Sequence, residues 1–460
     1  MRWACYALGV TPRIEEWLHL GEYDRAYDAL VASAERRFTT SARAAEALMD
    51  LAEFYSLYGE TEVEAWRAAL DEAAARWRGA GRSERYAALR FELEALTGRE
   101  QAPPPVEQPR AAYHVAQGLA YLGRLQAALE ALPDPEELPA FLEVRAWALF
   151  GRAYESLGRL VDAAAAHERA AEHSHGKERL WSLLDAAALW LETDAPERAR
   201  KLLAQAEGLL AAGELSDRAT FHYLRARVEL MLGNPERAAE EIVRAEGLEA
   251  AGAGLSHGTA MVRAQVQQQI GRLEAARAAY QDAEKRAASG DLPFVWHEWG
   301  LFELDHGDPI RAEALLRKVA GDEAYPHRAQ ALADLAEAYY RLGDGPAADE
   351  AARRALELGT VPAAHLILGN RAYDVGAWDE ALAHYRAAAA AAREGDRDWV
   401  TATEMIVDVL AQTGYPNPAE VAELAERLLP YLPPADEWRE TLRGYADRAR
   451  ELALKGRLLN

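Results

Sequence analysis

The sequence predicts an all-α protein, a right-handed superhelical solenoid of about eleven helix hairpins closed by a C-terminal capping helix. Three observations carry that reading. Glycines separate apolar helical stretches at a period of about 36 residues. Small side chains recur at two fixed offsets from those glycines. Alanine, the best helix former, supplies 100 of the 460 residues, and no alternating run rich in Val, Ile and Thr reads as a strand.

The reversals come first. Gly21, Gly59, Gly123, Gly158, Gly233, Gly271, Gly307, Gly343, Gly376 and Gly414 mark them, and Asp194 takes the same place between Gly158 and Gly233. Five residues after the reversal stands an alanine in ten units: Ala26, Ala128, Ala163, Ala199, Ala238, Ala276, Ala312, Ala348, Ala381 and Ala419. Seven residues before it the side chain is small in nine: Ala52, Ala116, Gly151, Ala187, Ala226, Ala264, Gly300, Ala336 and Gly369. Together the two positions let paired helices approach where a larger residue would hold them apart. Pro196, Pro235, Pro309 and Pro346 fall just past a reversal, where the first turn of a helix has no use for their missing N–H.

The set Trp147, Phe150, Gly151, Tyr154, Gly158, Ala163 and Ala170 resembles the tetratricopeptide signature, and so does Leu368-Gly369 with Gly376, Ala381, Tyr385 and Ala388. The resemblance covers about residues 12–430 and is strongest over 144–392. It specifies fold more than function, because the signature residues are packing residues. Three units depart from it, with Glu229, Gln267 or Glu303 where an aromatic stands four residues before the turn.

Four segments follow: two degenerate hairpins and one extra helix over 1–98, a Pro-rich linker over 99–110, the main array over 111–430, and a capping helix over 431–460. Glu437, Arg439, Glu440, Arg443, Asp447 and Arg448 would give that last helix the polar outer face a terminal unit needs. Met1–Val10 is too short in apolar run for a signal peptide, and no stretch approaches the ~20 apolar residues of a membrane span. Cys5, the single cysteine, has no intrachain disulfide partner, and a cytoplasmic protein is expected. A net charge of −23 disfavours nucleic acid and anionic membrane as partners, since both are bound through Lys and Arg.

No catalytic constellation is legible: phosphate-loop, nucleophile-elbow and HExxH patterns are all missing, and no cofactor is expected. His167, His173 and His175 lie close together, but the first occupies a packing position and the others end a helix. His297-Glu298 lacks the second histidine of a metalloprotease motif, Leu301 standing in its place, so no metal is expected.

Binding is the expected activity, on the first helix of each hairpin, where residues ten, six and three before the turn share one face. In tetratricopeptide proteins this concave face typically meets the ligand. Read along the chain, the candidate groove comprises Tyr113, Gln117, Arg145, Arg152, Tyr223, Arg227, Gln265, His297, Tyr340, Asn370 and Tyr373. Aromatic, amide and arginine side chains suit a peptide, and the three arginines an acidic one. The chaperone-type carboxylate clamp is rejected: Asn370 matches one of its asparagines, but Leu366 and Asp408 replace its lysine and second asparagine. The leading expectation is a non-enzymatic scaffold or adaptor for a protein or peptide. The alternative is a regulatory sensor whose array answers a small ligand or peptide. A homo-oligomer covering the exposed aromatics is also open.

Overall fold

The computed structural model describes residues 12–36, 38, 40–58, 62–99, 101–433, 436 and 438–459. Met1–Val10 with Cys5, the turn residue Gly59, and Glu437 lie outside them. Among the described residues every regular element is helical.

The chain divides into two compact units, residues 1–255 with 265–270 and residues 256–264 with 271–460. In the first, α1 (Pro12–His19) pairs with α2 (Tyr23–Glu35) and α3 (Ser41–Tyr58) with α4 (Val63–Arg76). A single helix α5 (Glu84–Leu96) follows, its start fixed by Ser83, whose hydroxyl accepts from the Tyr86 amide at 3.2 Å. A stretch without regular structure over 101–107 then leads to four more hairpins. These are α6 (Pro109–Tyr121) with α7 (Leu125–Ala131), α8 (Ala140–Ser156) with α9 (Leu160–His173), α10 (Gly176–Glu192) with α11 (Pro196–Glu207), and α12 (Leu215–Met231) with α13 (Pro235–Leu248).

The division runs through α14 (His257–Gln269), which turns at Gly271 into α15 (Leu273–Arg286). The second unit continues with α16 (Leu292–Asp305) and α17 (Pro309–Ala320), α18 (Arg328–Arg341) and α19 (Gly345–Leu358), and α20 (Pro362–Asp374) and α21 (Trp378–Ala391). It ends with α22 (Arg397–Gln412), α23 (Pro418–Leu428) and the long α24 (Trp438–Leu459). On α24, Leu442, Ala446 and Ala449 are buried, while Glu440, Arg443, Asp447 and Arg448 face water.

Local chemistry accounts for the reversals. The nine described turn glycines have φ between 72° and 87°, the left-handed region that costs an L-residue roughly 1–2 kcal/mol. Asp194 adopts the same conformation at φ 58°, which a short polar side chain tolerates best after glycine. Beside Gly158, the Arg159 amide donates to the Tyr154 carbonyl at 2.8 Å, closing the last turn of α8. The two small positions are core positions. The nine small residues before the turns are buried, and nine of the ten alanines after them have no exposure at all.

The tenth alanine is a correction. Ala419 is exposed, and Val421 takes its place in the core at 0%. Tyr415 is a second left-handed residue after Gly414, so this loop is two residues longer and α23 begins at Pro418. Glu303, one of the departures from the signature, is fully buried and is satisfied by Arg277 of the preceding α15 at 2.9 Å and by the Trp299 indole at 3.0 Å.

Within the first unit α1 also packs against α8. Ile14 and Leu18 join the same apolar cluster as Met49, Phe141 and Leu142, Glu15 pairs with Arg110 at 3.7 Å, and the His19 and His175 rings meet edge-on at 4.8 Å.

Candidate functional site

A cavity of about 390 Å³ opens in the first unit where first helices of consecutive hairpins meet. Helix periodicity builds each wall. On α6, Tyr113, Gln117 and Tyr121 recur every four residues; on α8, Arg145, Ala148 and Arg152 share a face; on α10, Glu178, Trp181 and Asp185 do so. Ser56 and Leu57 of α3 and Glu92 of α5 close one side, and His167 of α9 reaches in from behind.

Four of the eleven groove candidates thus converge: Tyr113, Gln117, Arg145 and Arg152. The other seven lie elsewhere. Arg227 pairs with Glu192 at 2.8 Å with its guanidinium 5.8 Å from the Tyr223 ring. Gln265 is half-buried on α14. In the second unit His297 is buried, with Tyr325 and Asp334 each 2.8 Å from its ring nitrogens. Tyr340 is half-buried near Asp374; Asn370 accepts from the Tyr385 hydroxyl and Tyr373 donates to Asp408, each at 2.8 Å.

Trp181, Asp185 and Glu178 were not among the candidates, for a geometric reason. Counted back from each turn, the lining residues stand at ten, six and two on α6, at thirteen, ten and six on α8, and at sixteen, thirteen and nine on α10. The contact stripe therefore slides about one helical turn toward the helix start with each hairpin. A fixed offset loses it.

The charges are unevenly satisfied. Arg145 lies 4.1 Å from the Tyr58 ring and pairs with Glu178 at 3.3 Å, while its Nε is buried without a partner. Among the described residues Arg152 reaches only the Gln117 amide oxygen, at 3.5 Å, the outer limit of a hydrogen bond. Burial, assisted by the charge of Arg152, pushes the His167 imidazole down to about 4, so it is neutral near pH 7. Its Nδ1 has no hydrogen-bond partner and stands 3.8 Å from Asp185. Poor hydration and the nearby Glu155 lift the Asp185 carboxyl to about 6, against the pull of Arg152.

Behind Glu92 lies a buried ionic network linking α3, α5 and α6. His114, with no exposure, holds Glu92 at 2.7 Å on Nδ1 and Glu53 at 2.8 Å on Nε2, an arrangement satisfied by imidazolium. Burial opposes that charge, but Glu92 and Glu53 outweigh it and raise the pKa. Glu53 also accepts from Arg85 at 2.7 Å and from the Arg110 Nε at 2.8 Å; Ser56 donates to Glu92 at 2.9 Å. Despite burial, Arg110 and Arg85 hold the Glu53 carboxyl well below the usual carboxylate range.

His167 also decides the fold type. It lies on Gly151, where a Cβ would stand 2.4 Å from its Nε2; Leu316 lies on Gly300 and Tyr385 on Gly369 at the same offset, with corresponding gaps of 2.8 and 2.6 Å. Close crossings of one kind recur between left-handed turns of one kind. The fold is a tetratricopeptide-type hairpin array.

No family model matches the chain, and no curated protein matches it in sequence. Among solved structures, several of low identity are similar. The Cut9–Hcn1 hetero-tetramer of APC/C shares 13% identity over 94% of this chain and 82% of the other, with a TM-score of 0.47. The pilF protein of Pseudomonas aeruginosa shares 16% over 50% and 98%, at 0.40, and a tetratricopeptide repeat protein of Parabacteroides merdae 12% over 58% and 98%, at 0.41.

Proposed function

We propose that this tetratricopeptide array is a binding module that holds a protein or peptide partner on the first helices of its hairpins, anchored in the pocket between α6, α8 and α10. The pocket carries the reading. Its volume lies within the roughly 300–1,000 Å³ typical of ligand sites. It combines rigid aromatic area from Tyr113 and Trp181 with the charged and amide groups of Arg145, Arg152, Glu178 and Gln117. A groove peptide would meet both on one path.

The test is selection of peptides from a displayed library against the full chain, followed by affinity measurement on variants. Ala148→Trp fills the cavity from a half-buried wall position and should weaken selected peptides at least about tenfold. Ile310→Ala, a change at a side chain 70% exposed in the second unit, should leave them unchanged. Selected peptides indifferent to Ala148→Trp would remove the pocket as the anchor. A scaffold or adaptor role with no chemistry of its own follows from this reading.

A further inference from the structure

Two charges of opposite sign stand on the pocket walls with no ion pair among the described residues. Among the described residues Arg152, on α8, hydrogen-bonds to Gln117, and Asp185, on α10, has the neutral His167 at 3.8 Å and feels the charges of Glu155 and Arg152. They are close enough for Arg152 to act on the Asp185 carboxyl, yet no ion pair joins them among the described residues. Among the described residues Glu155, one turn beyond Arg152, forms no ion pair with it either. Both side chains stay open to the cavity, Asp185 with 60% of its surface, so the gap between the two charges is a place for a ligand bearing both signs.

The surroundings sort the ligand further. His167 is 4% exposed, and its Nδ1 points at the Asp185 side of the cavity with no hydrogen-bond partner. Neutral imidazole can accept there from a donor bound to Asp185. The Arg145–Glu178 pair bounds one end, and Ser56 and His114 hold Glu92, so these charges are already answered. Leu57, Val144 and Ala148 supply apolar wall. A cavity of about 390 Å³ admits a single amino acid or a very short peptide and excludes a helix.

We infer that this pocket binds a zwitterion, with its carboxylate forked on the Arg152 guanidinium, its ammonium on Asp185 and His167 Nδ1, and an apolar side chain against Leu57 and Val144. A free α-amino acid and a short peptide with both termini open carry the same chemistry. The inference rests on the pocket being a binding site, and it adds the class of ligand. It also gives a sensor role a physical basis, because α8 and α10, which belong to successive hairpins, would be drawn together by one molecule.

Titration calorimetry on the full chain tests it, with L-leucine, L-phenylalanine, dileucine and trileucine as probes, each with free termini, N-acetylated or C-amidated. The free forms should bind, and blocking either end should weaken binding tenfold or more. Free amino acids binding more tightly than dileucine and trileucine identify the first source; the reverse order identifies the second. Arg152→Gln should erase the preference for a free carboxylate while keeping that for a free amine; Asp185→Asn should do the reverse. Both side chains are largely exposed, so these variants keep the fold. No heat from any free-termini probe, or blocked probes that bind as well, overturns the inference. Library-selected peptides that lose affinity in Ala148→Trp but not in Arg152→Gln or Asp185→Asn would overturn it while leaving the docking reading intact.

Discussion

Gly369 and Gly247 are both helical glycines, and the same substitution should act on them in opposite directions. A methyl group at Gly369 meets the Tyr385 ring at 2.6 Å, so Gly369→Ala should cost about 1–3 kcal/mol through overpacking. At Gly247, exposed on α13 with nothing within 4 Å, alanine should stabilise by about 0.5–1 kcal/mol by restricting the unfolded chain. Urea denaturation followed by circular dichroism distinguishes the two. His167 supplies a pH signature. Its folded pKa of about 4 lies below the unfolded value of 6.5. The stability linked to the neutral ring is therefore complete above pH 6.5 and is lost as pH falls toward 4. Between pH 7 and 5 that loss amounts to about 2 kcal/mol. His167→Leu, which places there the residue found at Leu203 and Leu316, should flatten the decline in a pH series of denaturation curves.

Helices and turns were legible because their causes are local. A left-handed glycine, a proline just beyond it and two small side chains act within one hairpin, so Gly158, Ala163 and Gly151 announce their roles without a structure. Ala419 was misread because a second left-handed residue, Tyr415, lengthens the loop and passes the core position to Val421. The ionic network of α3, α5 and α6 left no periodic trace, since Glu53 and His114 are 61 positions apart and meet only when three helices assemble. Its energetics are testable. His114→Gln leaves two buried carboxylates short of a cation and should destabilise by about 3–5 kcal/mol. Adding Glu92→Gln should recover part of that loss, so the double-mutant cycle should show coupling above about 1 kcal/mol. Additive losses would mean that the two side chains act independently.

Across the whole chain, stability in an array of hairpins is a sum of local and nearest-neighbour contributions. His114→Gln should therefore raise amide hydrogen exchange in α3, α5 and α6 while leaving α18 to α21 at wild-type protection. A uniform rise would show both units opening together. At this scale the candidate groove was the least legible feature. Offsets from the turn located Tyr113, Gln117 and Arg152, but the partners facing them on α10 lie nearer its start. That sliding contact sets a geometric limit on anything bound along it. α8 and α10 are each 17 residues long, so a stripe retreating about one turn per hairpin runs off the helix after about four hairpins. With neighbouring axes 8–10 Å apart, the usable track is some 30–40 Å, room for roughly ten extended residues crossing the helices obliquely. The first unit is in this sense a ruler: a longer strand would need to leave the diagonal.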